Sequence, residues 1–244
     1  MCYFAAPRKL KNAVLFVFSL IFYGWGEPRY IVLMIVSIVS GFVFALMIEK
    51  KQNKKSGLIL MWISVAVSLS FLLIFKYADF LIENVNQLPG VSLPLSKLSL
   101  PIGISFYTFQ IISYTADVWR GDTKAQRNII SFGTYVSLFP QLIAGPIVRY
   151  TDIERELQER KHSVTLAVSG IKRFLIGLSK KVLIANVLGE LTDICLKTSQ
   201  PSILSWWMYA AALVLQIYFD FSGYSDMAIG LGRIFGFQFP ENFN

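Results

Sequence analysis

The chain has 244 residues, of which 55% are hydrophobic and 16% charged, whereas soluble domains carry about 25% charged residues. Its apolar runs are too long for barrel strands, so composition argues against both a soluble domain and a β-barrel and for one helical membrane unit. The net charge of +8 would suit a nucleic-acid partner, but the positive residues flank apolar runs, as in the positive-inside bias and in contact with anionic lipid; membrane lipid is the expected partner and nucleic acid is not.

Arg8, Lys9 and Lys11 accompany a first candidate span, Leu10–Trp25, near the minimum length. A basic start and an apolar core also fit a signal peptide, but Tyr23, Trp25, Glu27 and Pro28 make a poor small-residue cleavage site. After a turn at Glu27-Pro28-Arg29, Tyr30–Ile48 is a second span of about 28 Å. Glu49–Lys55 (EKKQNKK) is the most basic loop. Two spans separate it from Arg8–Lys11, so both basic segments fall on one face, which the charge rule assigns to the cytoplasm. Gly57–Phe75 is a third span, and Lys76–Leu98 is expected outside, with Lys76 and Lys97 balanced by Asp79 and Glu83. Pro101 suits a first helical turn. Ile102–Val118 then returns inward to Arg120, Lys124 and Arg127.

The regular pattern stops at Ile129–Ile147, where Pro140, Gly145 and Pro146 interrupt an apolar run. Helix breakers at membrane depth need protein or a cavity around them, so a re-entrant or broken helix competes with a full crossing. Arg149–Lys161 holds four basic and four acidic residues and gives no orientation. Val164–Leu196 is predicted as one long helix, with Lys172, Arg173 and Lys180 on one face and Phe174, Leu178 and Val182 on the other, an interfacial pattern. Ile203–Phe219 is the last clear span, with Trp206 and Trp207 as interface anchors. No repeat, low-complexity linker or soluble domain interrupts the chain.

The candidate site lies in Gln216–Asn244 (QIYFDFSGYSDMAIGLGRIFGFQFPENFN). Asp220 and Asp226 enter an apolar run together with Ser222, Tyr224 and Ser225. A carboxylate at membrane depth costs roughly 2.5–3.5 kcal/mol on insertion scales, so it faces a cavity or a partner. Gly223, Gly230 and Gly232 add surfaces where backbones can approach closely. Pro240 bars simple helical continuation. Structural alternatives stand beside a functional one: Asp220 or Ser222 capping a new helix, or Asp226 paired with Arg233 seven residues on. Gln110, Gln141 and Arg149 form a second tier. Gln141 sits beside Pro140, where it can bond freed backbone. Arg149 can hold a phosphate or snorkel to the interface.

Together with Leu100–Arg120 (LPIGISFYTFQIISYTADVWR), Tyr135–Tyr150 (YVSLFPQLIAGPIVRY) and Arg173–Asn186 (RFLIGLSKKVLIAN), this stretch resembles the membrane-bound O-acyltransferase family, in particular its bacterial alginate O-acetyltransferase branch. Four long segments in order carry the resemblance along nearly the whole chain. It implies an all-α, multi-pass protein of the bacterial cytoplasmic membrane. Its reaction would move an acyl group, foremost acetyl, from a cytoplasmic thioester such as acetyl-CoA to hydroxyls of an exported polysaccharide such as alginate or peptidoglycan. No bound cofactor is implied; an extracytoplasmic acyltransferase is the implied partner. In that frame Asp220, Ser222, Tyr224, Ser225, Asp226, Gln141, Arg149 and Gln110 are candidates for shaping a tunnel. Similar proteins also carry one more apolar helix before the region of Arg8–Asn12. They continue beyond Asn244 into segments bearing two histidines, one held to be catalytic. The chain is therefore expected to be a single membrane-embedded domain over 1–244, equivalent to the front half of such an enzyme and inactive by itself. D-alanyl transfer toward teichoic acids, in a sister branch, is the runner-up. A non-enzymatic transporter or scaffold half is the alternative from another class; inverted repeats would favour it, and the sequence has none.

Other chemistry is poorly supplied. His162 is the only histidine and sits among Arg155, Arg160 and Lys161, a solvated setting rather than a shielded base, so no catalytic residue is assigned. Cys2 and Cys195 make no disulfide framework, and Cys195 reads as a small buried hydrophobe. The stretch Gly223–Met227 lacks the final glycine of a nucleophile elbow. No metal-ligand spacing or phosphate-cradling loop occurs.

Overall fold

The structure, a computed structural model, describes residues 2–243 apart from 53, 89, 144 and 199–201. Helices make up the secondary structure and no strand occurs among the described residues. The backbone falls into two compact units, Met1–Ile143 with Arg149–Thr151, and Ala144–Val148 with Asp152–Asn244.

In the first unit, α1 (Cys2–Ala5) and a short 3-10 turn at Arg8–Leu10 lead into α2 (Lys11–Gly26), α3 (Ile31–Lys50), α4 (Lys55–Val85), α5 (Ile104–Arg120) and α6 (Ile129–Ser137). α3 and α4 are long and apolar enough to cross a membrane. Their outward faces present Val32, Ile59, Trp62 and Leu73, each more than half exposed, as a lipid-facing surface requires. α3 packs on α4, α5 and α6, and α2 packs on α6. Two glycines set these approaches. A Cβ on Gly41 would meet Ile111 Cγ2 of α5 at 2.6 Å, and one on Gly133 would meet the Phe16 ring of α2 at 2.6 Å.

One expectation for this unit needs correction. The helix expected to end at Phe75 runs on to Val85, so the first ten residues of the expected outer segment Lys76–Leu98 are helical. Their sequence, KYADFLIENV, contains good helix formers and no breaker, and nothing in it stops the helix. The chain then folds back. Asp79 accepts from the backbone N–H of Ser96 at 2.7 Å and of Lys97 at 3.0 Å, and Asn86 exchanges two hydrogen bonds with the Leu93 backbone. Of the two alternatives open for Ile129–Ile147, the broken helix is the one found. α6 has nine residues, about 13.5 Å, too short for a hydrocarbon core of about 30 Å.

The break is built as burial demands. Asn128 caps the start of α6, its side chain accepting from Ile130 and Ser131 N–H. The helix stops before Phe139, the residue preceding Pro140, where helical geometry is disfavoured. Freed backbone groups are then taken up by side chains. Gln141 Nε2 donates to the Tyr135 carbonyl at 2.8 Å, and Phe139 N–H donates to Ser19 Oγ at 3.2 Å. Every residue from Ser131 to Ser137 is buried, against a cluster in which Tyr114 meets Phe132 and Tyr150 at 4.7 and 4.8 Å between ring centres.

The second unit includes most of α7 (Tyr150–Gln158) and continues through α8 (Val164–Ser179), a π-helical segment (Lys180–Ala185), α9 (Asn186–Lys197) and α10 (Ile203–Phe235). Ser163 and Ser202 cap α8 and α10 by accepting from Leu166 and Ser205 N–H. The helix expected over Val164–Leu196 is found without a break in helical residues, with the π turn inside it. α10 has 33 residues, about 50 Å, and is the third helix long and apolar enough to span a membrane. With three such helices and no strand among the described residues, the chain is a helical membrane protein.

Candidate functional site

The second unit is organised around the contact of α8 and α10, and sequence spacing explains it. Gly170 and Gly177 are seven residues apart on α8; Gly223 and Gly230 are seven apart on α10. Seven residues are nearly two turns, so each pair shares a face. The glycines meet crosswise, Gly170 on Gly230 and Gly177 on Gly223. A Cβ on Gly230 would lie 2.6 Å from the Gly170 carbonyl oxygen, and one on Gly223 would lie 2.8 Å from that of Gly177. Bare backbones thus touch at two points, the use of small residues expected between membrane helices.

Between those points sits Asp226, 3% exposed. Asp226 lies one turn from both Gly223 and Gly230, and Arg173 lies in the same way between Gly170 and Gly177. Arg173 Nε donates to Asp226 Oδ1 at 2.7 Å, and its Nη2 lies 2.6 Å from the same oxygen. Lys180 Nζ donates to Asp226 Oδ2 at 2.7 Å and to Ser222 Oγ at 2.9 Å. Both carboxylate oxygens are therefore engaged by cations, the condition under which a buried charge is tolerated. Lys181 donates to Asp220 one stitch further along. Adjacent residues on a regular helix diverge by about 100°, yet Lys180 and Lys181 both reach α10. The π turn begins at Lys180, where the helix widens.

A third layer comes from the segment after α10. Gly236, at φ 84°, closes the helix in the left-handed conformation, and Phe237 N–H bonds back to the Gly232 carbonyl at 2.8 Å. The returning chain is held by Phe237 under the Arg160 guanidinium, 4.5 Å from the ring centre, and by Phe239 against Gly232. This brings Glu241 back to the helix pair. Arg173 Nη2 lies 2.5 Å from Glu241 Oε2, and Arg233 Nη2 lies 3.6 Å from Oε1. Burial disfavours the Arg173 charge, and its bonds to Asp226 and Glu241 offset that cost.

These contacts decide between the alternatives left open above. Asp220 and Ser222 do not cap a new helix; α10 runs through them unbroken. Asp226 forms a buried ion pair, but with Arg173 and Lys180 rather than with Arg233, which donates to Ser169 Oγ at 3.0 Å. Residues seven apart on one helix lie about 10.5 Å apart along its axis, too far for direct pairing, and only the third and fourth neighbours meet. Arg173 and Lys180 correspondingly leave the exposed cationic face expected for α8 and turn toward the carboxylate, while Lys172 stays exposed.

Of the other candidates, Tyr224 is half-buried, and Ser225 is buried with no hydrogen-bond partner for its Oγ among the described residues. In the first unit, Gln141 serves the broken backbone after α6, and the Gln110 Oε1 is buried without a partner among the described residues. Arg149 Nη2 lies 2.5 Å from Oδ1 of the buried Asp117, while the Arg149 side chain remains half exposed. His162 is exposed, and Cys2 and Cys195 are free thiols. Among the described residues no group of three His, Cys, Asp or Glu side chains can hold a metal. Sequence reading missed Lys181, Glu241 and Asp117, and it missed the pairing of Arg173 and Lys180. The signal present was the shared seven-residue spacing of Gly170/Gly177, Arg173/Lys180 and Gly223/Gly230.

The chemistry of this constellation is positional. A buried carboxylate with both oxygens bonded to cations is turned toward those cations and away from any open surface, so it is not arranged as a general base. It fixes the register of two helices and holds hydroxyl-bearing residues, Ser222, Tyr224 and Ser225, on a rigid element.

The sequence model of MBOAT, the membrane-bound O-acyltransferase family, matches residues 125–244. A probable alginate O-acetylase (AlgI) of Pseudomonas aeruginosa is 41% identical over 99% of this chain and 48% of its own length. A peptidoglycan O-acetyltransferase of Helicobacter pylori is 31% identical over 99% of the chain and 52% of its own length. A teichoic acid D-alanyltransferase of Bacillus subtilis is 26% identical over 86% of the chain and 51% of its own length. The chain thus spans about half the length of the curated relatives it matches.

Proposed function

The chain belongs to the membrane-bound O-acyltransferase family, and from that premise we propose that it forms the helical body of an enzyme that transfers an acetyl group from a cytoplasmic thioester to hydroxyls of an exported polysaccharide. The observation that carries this reading is the gradient of likeness. Identity is 41% to an alginate O-acetylase, 31% to a peptidoglycan O-acetyltransferase and 26% to a teichoic acid D-alanyltransferase. Acetyl transfer is favoured over D-alanyl transfer on that ground. The thioester's charged carrier is too costly to move through lipid, so a donor inside and an acceptor outside call for transfer within the membrane. The lattice around Asp226 supports this role as a rigid frame. An extracytoplasmic acyltransferase would complete delivery to the polymer.

Deleting the coding sequence should abolish acetylation of one exported polysaccharide, measured as base-released acetate, and a plasmid copy should restore it. Loss of D-alanine esters with acetate intact would move the reading to the sister branch. Unchanged ester content in every exported polymer would sink it.

The same reading places the protein in the bacterial cytoplasmic membrane as a multi-pass chain, with Lys51–Lys55 inside and Asn86–Leu98 outside; Asn53 and Pro89 lie outside the described residues. Lys51 and Ser92 are both exposed. In a chain with Cys2 and Cys195 changed to serine, Ser92→Cys should react with an impermeant maleimide on intact cells, and Lys51→Cys only after permeabilisation. The reverse pattern would overturn the assignment.

A further inference from the structure

Along the outer side of the α8–α10 pair runs a groove of about 580 Å³, lined by Val164, Val168, Lys172, Arg173, Ile176 and Arg233, with the hydroxyls of Thr165 and Ser169 beside them. Val164, Val168, Lys172 and Ile176 follow one another at four-residue intervals and form one stripe of α8. A lysine thus interrupts an exposed apolar stripe: Val164 is 81%, Val168 45% and Ile176 53% exposed. No carboxylate among the described residues pairs with Lys172. The local charge is also unbalanced. Lys172, Arg173, Lys180 and Arg233 supply four positive charges, and the carboxylates among them, Asp226 and Glu241, supply two negative ones, leaving 4 − 2 = +2. A second, apolar groove of about 350 Å³ continues from Ile176 past Leu175 and Leu183 to Ile184. From Lys172 to Leu183 is roughly 17 Å of helix, close to the half-thickness of a hydrocarbon core of about 30 Å.

We propose that this groove is a binding site for an anionic phospholipid, with its phosphate between Lys172, Arg173 and Arg233 and one acyl chain along Ile176 and Leu183. The surplus of two positive charges selects the headgroup, and the apolar continuation selects a lipid over a soluble phosphate. Such a lipid would cover the exposed stripe and give Lys172 a counter-ion that none of the described carboxylates supplies. It would also bridge α8 to Arg233 on α10, and so report on, and reinforce, the frame around Asp226.

The test uses the full chain, purified in a neutral detergent and titrated with fluorescent phosphatidylglycerol, fluorescent phosphatidylcholine and unlabelled glycerol 3-phosphate. Phosphatidylglycerol should bind at least several-fold more tightly than phosphatidylcholine, and glycerol 3-phosphate should not displace it. Lys172→Glu should weaken phosphatidylglycerol binding on the order of tenfold with little change for phosphatidylcholine. If that variant misfolds, Lys172→Gln, which removes the charge without attracting Arg173 off Asp226, should give a smaller loss in the same direction. Equal binding of the two lipids, displacement by glycerol 3-phosphate, or unchanged affinity in a folded Lys172 variant would each overturn the proposal, the last two pointing to a soluble anion or to a protein segment as the occupant.

Discussion

A chain carrying both Arg173→Met and Lys180→Met should lose about 3–5 kcal/mol of stability, and adding Asp226→Asn should return a large part of it. The double change leaves Asp226 buried without either of the cations that now bond its two oxygens. Breaking a buried pair costs that much because one charge stays behind without compensation, not because the pair itself was worth it. Asparagine keeps the size and removes the charge. Single changes should cost less. Arg173 and Lys180 side chains are 27% and 30% exposed, so a cation left without Asp226 can turn outward, and Arg173 keeps Glu241. Arg233→Gln should not rescue Asp226→Asn, since Arg233 leans on Ser169 and Glu241 instead. The measurement is the melting temperature and monodisperse yield of each variant in one detergent, read as a double-mutant cycle. A triple variant no more stable than the double one would show that Asp226 is not held as a buried charge.

How much of this was legible beforehand depended on the range of the interaction. Helix identity was local and readable: apolar runs at Tyr30–Ile48 and Ile203–Phe219 became α3 and the front of α10, and Pro140 with Gly145 and Pro146 marked the place where α6 stops. Helix ends were less readable. Lys76–Val85 reads as part of an outer loop by its balanced charges, Lys76, Asp79 and Glu83, but charge alone does not end a helix, and its residues favour one. Asp220 and Asp226 stood out as costly groups needing partners. Which partners they took could not follow from spacing within α10, because the choice is made by the register of α8 against it. That register was encoded in glycine pairs on two segments separated by some fifty residues, with meaning only when read together. Gly223 and Gly230 stand out as close-approach surfaces beside the acidic pair; nothing in the α8 sequence by itself singles out Gly170 and Gly177, their counterparts.

That register yields the other large expected effect. Gly177→Ala should cost about 3 kcal/mol, and Gly177→Val should prevent recovery of folded protein. A Cβ at position 177 would press on the Gly223 carbonyl oxygen, lie 2.7 Å from Met227 N and lie 2.8 Å from Asp226 Cβ. Two of these are backbone atoms of α10, which cannot rotate aside, so the helices must part. Parting them also lengthens the bonds from Arg173 and Lys180 to Asp226, adding an electrostatic loss to the overpacking cost of about 1–3 kcal/mol. Two other glycines calibrate the scale. At Gly232 the obstruction is the Phe239 ring at 2.6 Å, a side chain that can swing, so Gly232→Ala should cost less than Gly177→Ala. At Gly26, at the end of α2, nothing lies within 4 Å, and Gly26→Ala should be neutral or stabilising by up to about 1 kcal/mol. Melting temperatures in a single detergent should therefore fall in the order Gly26→Ala, Gly232→Ala, Gly177→Ala. If Gly177→Ala melts with Gly26→Ala, α8 and α10 do not touch backbone to backbone, and the buried setting of Asp226 falls with that contact.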